Sequence, residues 1–157
     1  MTTSEWLLML HITAAFLLVA GSVAAGILNA LAIRAERPSE TALLLRLVRI
    51  ALPVIYIGVA GTLIFGLWLW HELDFGLGEF WIWASLVLWV ATNAFGGIGG
   101  QHQERVRGLA EELAASGDTA TPELRAMLRD PRANAMSWLA GAAVIGILVL
   151  MIWRPGS

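Results

Sequence analysis

Cysteine and lysine are both missing from this sequence of 157 residues. Without cysteine there is no disulfide, no thiolate metal site and no thiol nucleophile. Without lysine there is no amine for Schiff-base chemistry and no phosphate-loop lysine. All ten basic residues are arginine, and the formal net charge of −2 argues against nucleic acid as a partner. Charged residues make up only 14% of the chain, and tyrosine occurs once. That small amount of charge is very unevenly placed.

Four stretches carry no charged residue: 6–33, 50–70, 80–100 and 133–153. Each is long enough to cross a bilayer, because about 20 helical residues at ~1.5 Å rise span the ~30 Å hydrocarbon core. The overall composition agrees, at 58% hydrophobic residues and a mean hydropathy of +0.72. The segment before Trp6 has no positive charge and the first apolar stretch is far longer than a signal h-region, so it is expected to remain as a membrane helix. The loops are 34–49, 71–79 and 101–132, and none holds a separate domain of ordinary size. The sequence therefore predicts a single all-α membrane domain, residues 1–157. The short connections make it an antiparallel up-down-up-down four-transmembrane-helix bundle.

Arginine placement predicts orientation. Arg34, Arg37, Arg46 and Arg49 lie in the first loop, and Arg105, Arg107, Arg125, Arg129 and Arg132 in the third. The second loop has none and carries Glu72, Asp74 and Glu79. By the positive-inside rule the first and third loops are cytoplasmic, and the 71–79 loop and both termini are outside. Trp6, Trp68, Trp70, Trp81, Trp83 and Trp153 fall near the outer ends and form an aromatic belt. In the third loop Val106, Leu109, Ala110 and Leu113 have helical spacing, an amphipathic helix continuing from the third span. Thr121-Pro122-Glu123 starts a second short helix, and Asp130-Pro131 starts the fourth span.

Small residues mark contact faces in lipid. They are Gly58, Thr62 and Gly66 in the second span, Gly96, Gly97, Gly99 and Gly100 in the third, and Ser137, Gly141 and Gly146 in the fourth. Pro53 is placed in the first turn of the second span, where its missing N–H costs little. Polar residues inside a span are costly and mark packing or function. Ser22 and Asn29 follow His11 by 11 and 18 residues, which puts all three within about 20° of one direction. Asn29, Tyr56 and Asn93 share the inner leaflet on this topology and are expected to form a hydrogen-bonded cluster. His11 and His71 both lie toward the outer side and could share a heme iron, or copper or zinc with Glu72 or Asp74 assisting. Ala14 and Ala15 would leave space beside His11. His102 lies about a bilayer away and is read as interfacial.

Several short segments, taken in order, carry a family resemblance. They are Leu10-His11-Ile12 and Val19-Ala20-Gly21, Asp74-Phe75, and Gly78-Glu79-Phe80-Trp81-Ile82. The Asp130-Pro131 start and the closing Met151-Ile152-Trp153-Arg154-Pro155 complete the set. The chain resembles the bacterial four-span integral membrane family called domain of unknown function 2269, over nearly its whole length. That resemblance implies a multi-pass protein of the bacterial inner membrane. The chain is also distantly similar to the CopD-like copper-resistance group and to heme-binding membrane protoporphyrinogen oxidases. The latter resemblance implies that His11 ligates heme b. That group also relies on a lysine, which this chain lacks.

Three readings of function follow. The first is a small membrane assembly protein without its own catalysis, acting as a homo-oligomer or with a membrane protein partner. The second is a heme- or metal-binding protein using His11, with or without His71, for electron transfer or metal handling; heme b suits it better than copper. The third is small-solute transport as an oligomer, because no charge inside the spans is there for ion coupling.

Overall fold

The computed structural model describes residues 2–74 and 79–155. Its helices are α1 (Thr3–Arg34), α2 (Pro38–Glu72), α3 (Phe80–Ala115), α4 (Pro122–Leu128) and α5 (Pro131–Trp153). Four helical segments are long and apolar enough to cross a membrane, and α1, α2, α3 and α5 carry them. Among the described residues the structure is all-helical, and its four long apolar helices are consistent with a membrane helical bundle.

Local chemistry sets the helix starts. Thr2 and Glu5 form a reciprocal capping box at α1, with the Thr2 N–H donating to Glu5 Oε2 at 2.8 Å. Thr121 caps α4 by accepting from the Leu124 N–H, and Asp130 caps α5 by accepting from the Arg132 N–H. Pro38, Pro122 and Pro131 stand in the first turns of their helices, where a proline forfeits no bond and its fixed φ suits the helix.

Two sequence expectations change here. Residues 38–49, read as loop, are the opening turns of α2, and only residues 35–37 connect it to α1. Pro38 supplies the start, and Ala42, Leu45 and Val48 are buried on one helical face. Pro53 is therefore inside α2 rather than in its first turn. Lipid-spanning helices tolerate such a proline when their surroundings satisfy the freed carbonyl. Residues 75–78 of the loop placed at 71–79 lie outside the described residues.

The helices pack as antiparallel neighbours. Along the α1–α2 seam, Gly21 meets Ile55, Gly58 meets Leu18 and Ala14, Gly61 meets Ala14, and Gly66 meets His11. A Cβ on Gly58 would stand 2.5 Å from the Leu18 nitrogen, so only glycine lets the backbones come this close. On the α3–α5 seam Gly99 meets Ser137 and Gly146 meets Leu88. The glycine expectation is met only in part: Gly96, Gly97, Gly100 and Gly141 have nothing within 4 Å of where a Cβ would be. The α2–α3 seam is held by Trp89, whose Nε1 donates to the Val59 carbonyl at 3.3 Å. It is also held by an edge-to-face contact of Trp70 and Trp83 at 6.2 Å. The fourth seam, α1 against α5, has very little contact.

The arginine-rich segments gather at one end, around a buried apolar cluster. Ala32, Ala42, Leu45, Val106, Ala110, Leu124 and Leu128 form a single buried cluster there. Charges tie its outside together. Arg107 reaches both Glu104 and Glu111 on its own helix, Arg46 pairs with Glu111 at 3.2 Å, and Arg49 pairs with Glu104 at 3.4 Å. We call this end the collar. The opposite end holds the start of α1, the end of α2, the start of α3 and the end of α5.

Candidate functional site: a cavity around His11

The end away from the collar encloses a cavity of about 580 Å³ bounded by all four long helices. This falls within the roughly 300–1,000 Å³ range of small-molecule sites. Its wall is mostly apolar, with Leu8, Leu63, Ile82 and Ile147 among its residues. Polar groups fall into two sets. Ser4, Glu5 and Arg154 belong to the helix ends that form the rim, and Arg154 lies 5.6 Å over the ring of Trp81. Deeper in the bundle are His11, Thr62, Ser85 and Trp89.

His11 is only 8% exposed. Its Nδ1 lies 3.1 Å from the Thr62 carbonyl oxygen. A carbonyl can only accept, so in the neutral ring Nδ1 carries the proton and Nε2 keeps the lone pair. A histidine held through one nitrogen by a backbone carbonyl is the arrangement that orients the other toward a metal or donor. Gly66 makes room for the ring: a Cβ there would be 3.0 Å from Cε1. Thr62 Oγ1 is turned away, donating to the Gly58 and Val59 carbonyls. Ser85 is buried and donates to the Trp81 carbonyl at 2.7 Å, which leaves its oxygen able to accept.

Of the expected space beside His11, Ala15 lines the cavity, whereas Ala14 is buried against Gly58 and Gly61. His71 is exposed and is not part of the cavity wall. It follows Gly66 by five residues, a rotation of about 140°, so α2 turns it away from the ring that Gly66 touches. The structure does not bring His11 and His71 together as a ligand pair. Among the described residues no three His, Cys, Asp or Glu side chains gather into a metal-binding group.

The expected cluster of Asn29, Tyr56 and Asn93 is not assembled either. Tyr56 is 61% exposed, on the outer face of α2. Asn93 Nδ2 donates within its own helix to the Trp89 carbonyl at 2.8 Å. Ser22 is half-buried on α1. Asn29 instead faces a gap of about 10 Å³ at the collar, lined also by His102, Asn134 and Ser137. That is room for about one water. His102, read as interfacial, is half-buried with Nε2 2.9 Å from the Met127 carbonyl.

Sequence reading missed Ser85, Arg154 and Glu5 as cavity residues. Ser85 had a usable signal, as the lone serine of the third apolar stretch. Arg154 and Glu5 had none, because chain-end charges look like ordinary interfacial residues.

Residues 5–155 match the family model described as "Predicted integral membrane protein (DUF2269)". No curated protein and no solved structure matches the chain. The similarity to the CopD-like and protoporphyrinogen oxidase groups therefore gains no support.

Proposed function

From the premise that the chain belongs to the DUF2269 family of predicted integral membrane proteins, we propose that it binds one small, largely apolar cofactor in the His11 cavity. The orientation that goes with this reading has both termini and the cavity on the outer side of a bacterial inner membrane. The collar, with nine of the ten arginines in or beside it, then faces the cytoplasm.

The observation that carries the proposal is the state of His11: it is buried, it lines the cavity, and its Nδ1 is held by the Thr62 carbonyl, which leaves Nε2 as the nitrogen able to act as a ligand. Heme b fits this donor set better than a bare metal ion. It needs only one protein ligand, and it buries a flat apolar ring. Copper or zinc would need several ligands converging on one point. When bound, the group would supply an iron centre for one-electron transfer. His11 would hold it, the apolar wall would exclude water, and Trp81 would keep Arg154 at the rim.

The test is the optical spectrum of the protein purified in mild detergent after expression with heme precursor. A Soret band that is lost in His11→Ala and kept in His71→Ala supports the reading. A flat visible spectrum overturns it.

A second reading, assembly with another copy or a membrane partner, has one observation in its favour. Gly96, Gly97 and Gly100 on α3 meet nothing within the chain, and glycine faces are where membrane helices approach closely. Gly97→Leu changing the oligomer size in mild detergent would support it; an unchanged size would count against it.

A further inference from the structure

We propose that the His11 cavity opens sideways into the bilayer between α1 and α5, and that its ligand is a lipophile arriving dissolved in the membrane. This rests on the cavity holding a ligand, but not on that ligand being heme.

Three of the four seams around the cavity are shut by named contacts. Gly66, Gly61 and Gly58 bring α2 against α1. The Trp70–Trp83 contact and the Trp89–Val59 hydrogen bond close α2 on α3. Leu88 on Gly146 closes α3 on α5. Among the described residues the α1–α5 seam has the least contact of the four.

Two residues mark the opening. Of the exposed apolar side chains that line the cavity, the two most exposed are Ile12 on α1, at 58%, and Ile152 on α5, at 76%. Leu8, Leu67 and Leu73 line the cavity with less exposure, so the wall runs out furthest onto the surface on the side of Ile12 and Ile152. Both are isoleucines on helices that face lipid. A molecule coming from water would have to pass the rim of Ser4, Glu5 and Arg154. A molecule coming from the bilayer passes hydrocarbon side chains alone.

The route constrains the ligand. Moving an apolar body from lipid into an apolar cavity gains little from the hydrophobic effect, since lipid tails are as apolar as leucine. Retention must then come from a fixed polar contact, which His11 Nε2 supplies as an acceptor. The class is a lipophile carrying one hydrogen-bond donor or metal centre on an otherwise apolar frame.

The chain has no cysteine, so a single introduced thiol reports the route. Ser85→Cys in sealed liposomes is treated with membrane-dissolved N-cyclohexylmaleimide or with a charged, impermeant methanethiosulfonate sulfonate. Each rate is divided by the rate for the unfolded protein. A lateral opening gives at least a tenfold preference for the maleimide, and adding Ile12→Trp slows that reaction several-fold. Equal labelling by the charged reagent means a water-filled vestibule and overturns the proposal. Labelling by neither reagent means a sealed cavity and also overturns it. Ala15→Cys, on the same cavity wall, reports the route if Ser85→Cys does not fold. A flat heme spectrum alone would leave the labelling result standing, so the two readings fail separately.

Discussion

Gly66 lies against the imidazole of His11: a Cβ added to it would stand 3.0 Å from Cε1 and 3.2 Å from Nδ1. The glycine therefore sets how closely the ring lies to α2, while the Thr62 carbonyl, one turn earlier on the same helix, fixes its Nδ1. Gly66→Ala should push the ring by a few tenths of an ångström and disturb the Nδ1 hydrogen bond. The helix itself should gain slightly, by up to about 1 kcal/mol. The expected outcome is a weakened or shifted ligand signal with little change in melting temperature. A lower melting temperature with an unaltered ligand signal would refute this account of Gly66.

Gly58 behaves differently because what it touches cannot move. Its added Cβ would meet the Leu18 nitrogen at 2.5 Å, the Leu18 Cα at 2.8 Å and the Ala14 oxygen at 2.9 Å. All are backbone atoms. Gly58→Ala should force α1 and α2 apart and cost about 1–3 kcal/mol, the usual range for overpacking. Thermal melting in detergent, compared with Gly96→Ala as a site with open space, measures it.

The collar should be sensitive to acid. The Asp118 carboxyl is held below the usual carboxylate range by the hydroxyl and then the backbone N–H of Ser39. Glu104 is held down by its hydrogen bond from Arg107, and Glu111 by those from Arg46 and Arg107. Folded-state values below the unfolded ones mean that their contribution is complete above the unfolded values, about 4 to 4.5. It is lost as pH falls through the folded values. Melting temperature should be flat from neutral pH to about 4.5, then drop. Asp118→Asn should make that drop shallower, and high salt should reduce it because these groups are exposed.

Thr92 offers a stabilising change. Its Oγ1 is the one buried side-chain polar atom without a hydrogen-bond partner among the described residues. Thr92→Val removes that hydroxyl at nearly constant volume and should raise stability by about 1 kcal/mol. A fall in melting temperature would mean that the hydroxyl has a partner when the protein is in lipid.

Tyr56 tests what the sequence could not tell. Its depth in the second span is readable from distance to the arginines, but the face it presents is not. In a helix apolar nearly all round, no polar stripe indicates which side meets a neighbour. Tyr56→Phe should stay within about 0.5 kcal/mol of the parent, as surface changes do.

The same reasoning explains what was legible. The four long apolar helices follow from runs free of charge, and the α5 start from Asp130-Pro131. The stripe of His11 was directional enough to bury that ring. Nothing in sequence spacing pairs one helix with another, so the partnership of Gly66 with His11, or of Asn29 with His102 across a small gap, became visible only in three dimensions. His71 lies toward the same end as His11, but it stands five residues beyond the Gly66 that touches the ring and on another face of α2.

Only residues 35–37 separate α1 from α2, and this bears on how the protein is made. Chains are synthesised from the N-terminus, and early parts can assemble first. All the contacts of the α1–α2 seam, His11 on Thr62 included, are available once α2 has emerged from the ribosome. Ile147, Leu148 and Met151 of the cavity wall arrive last. A nascent chain thus has its histidine fixed before there is a chamber around it.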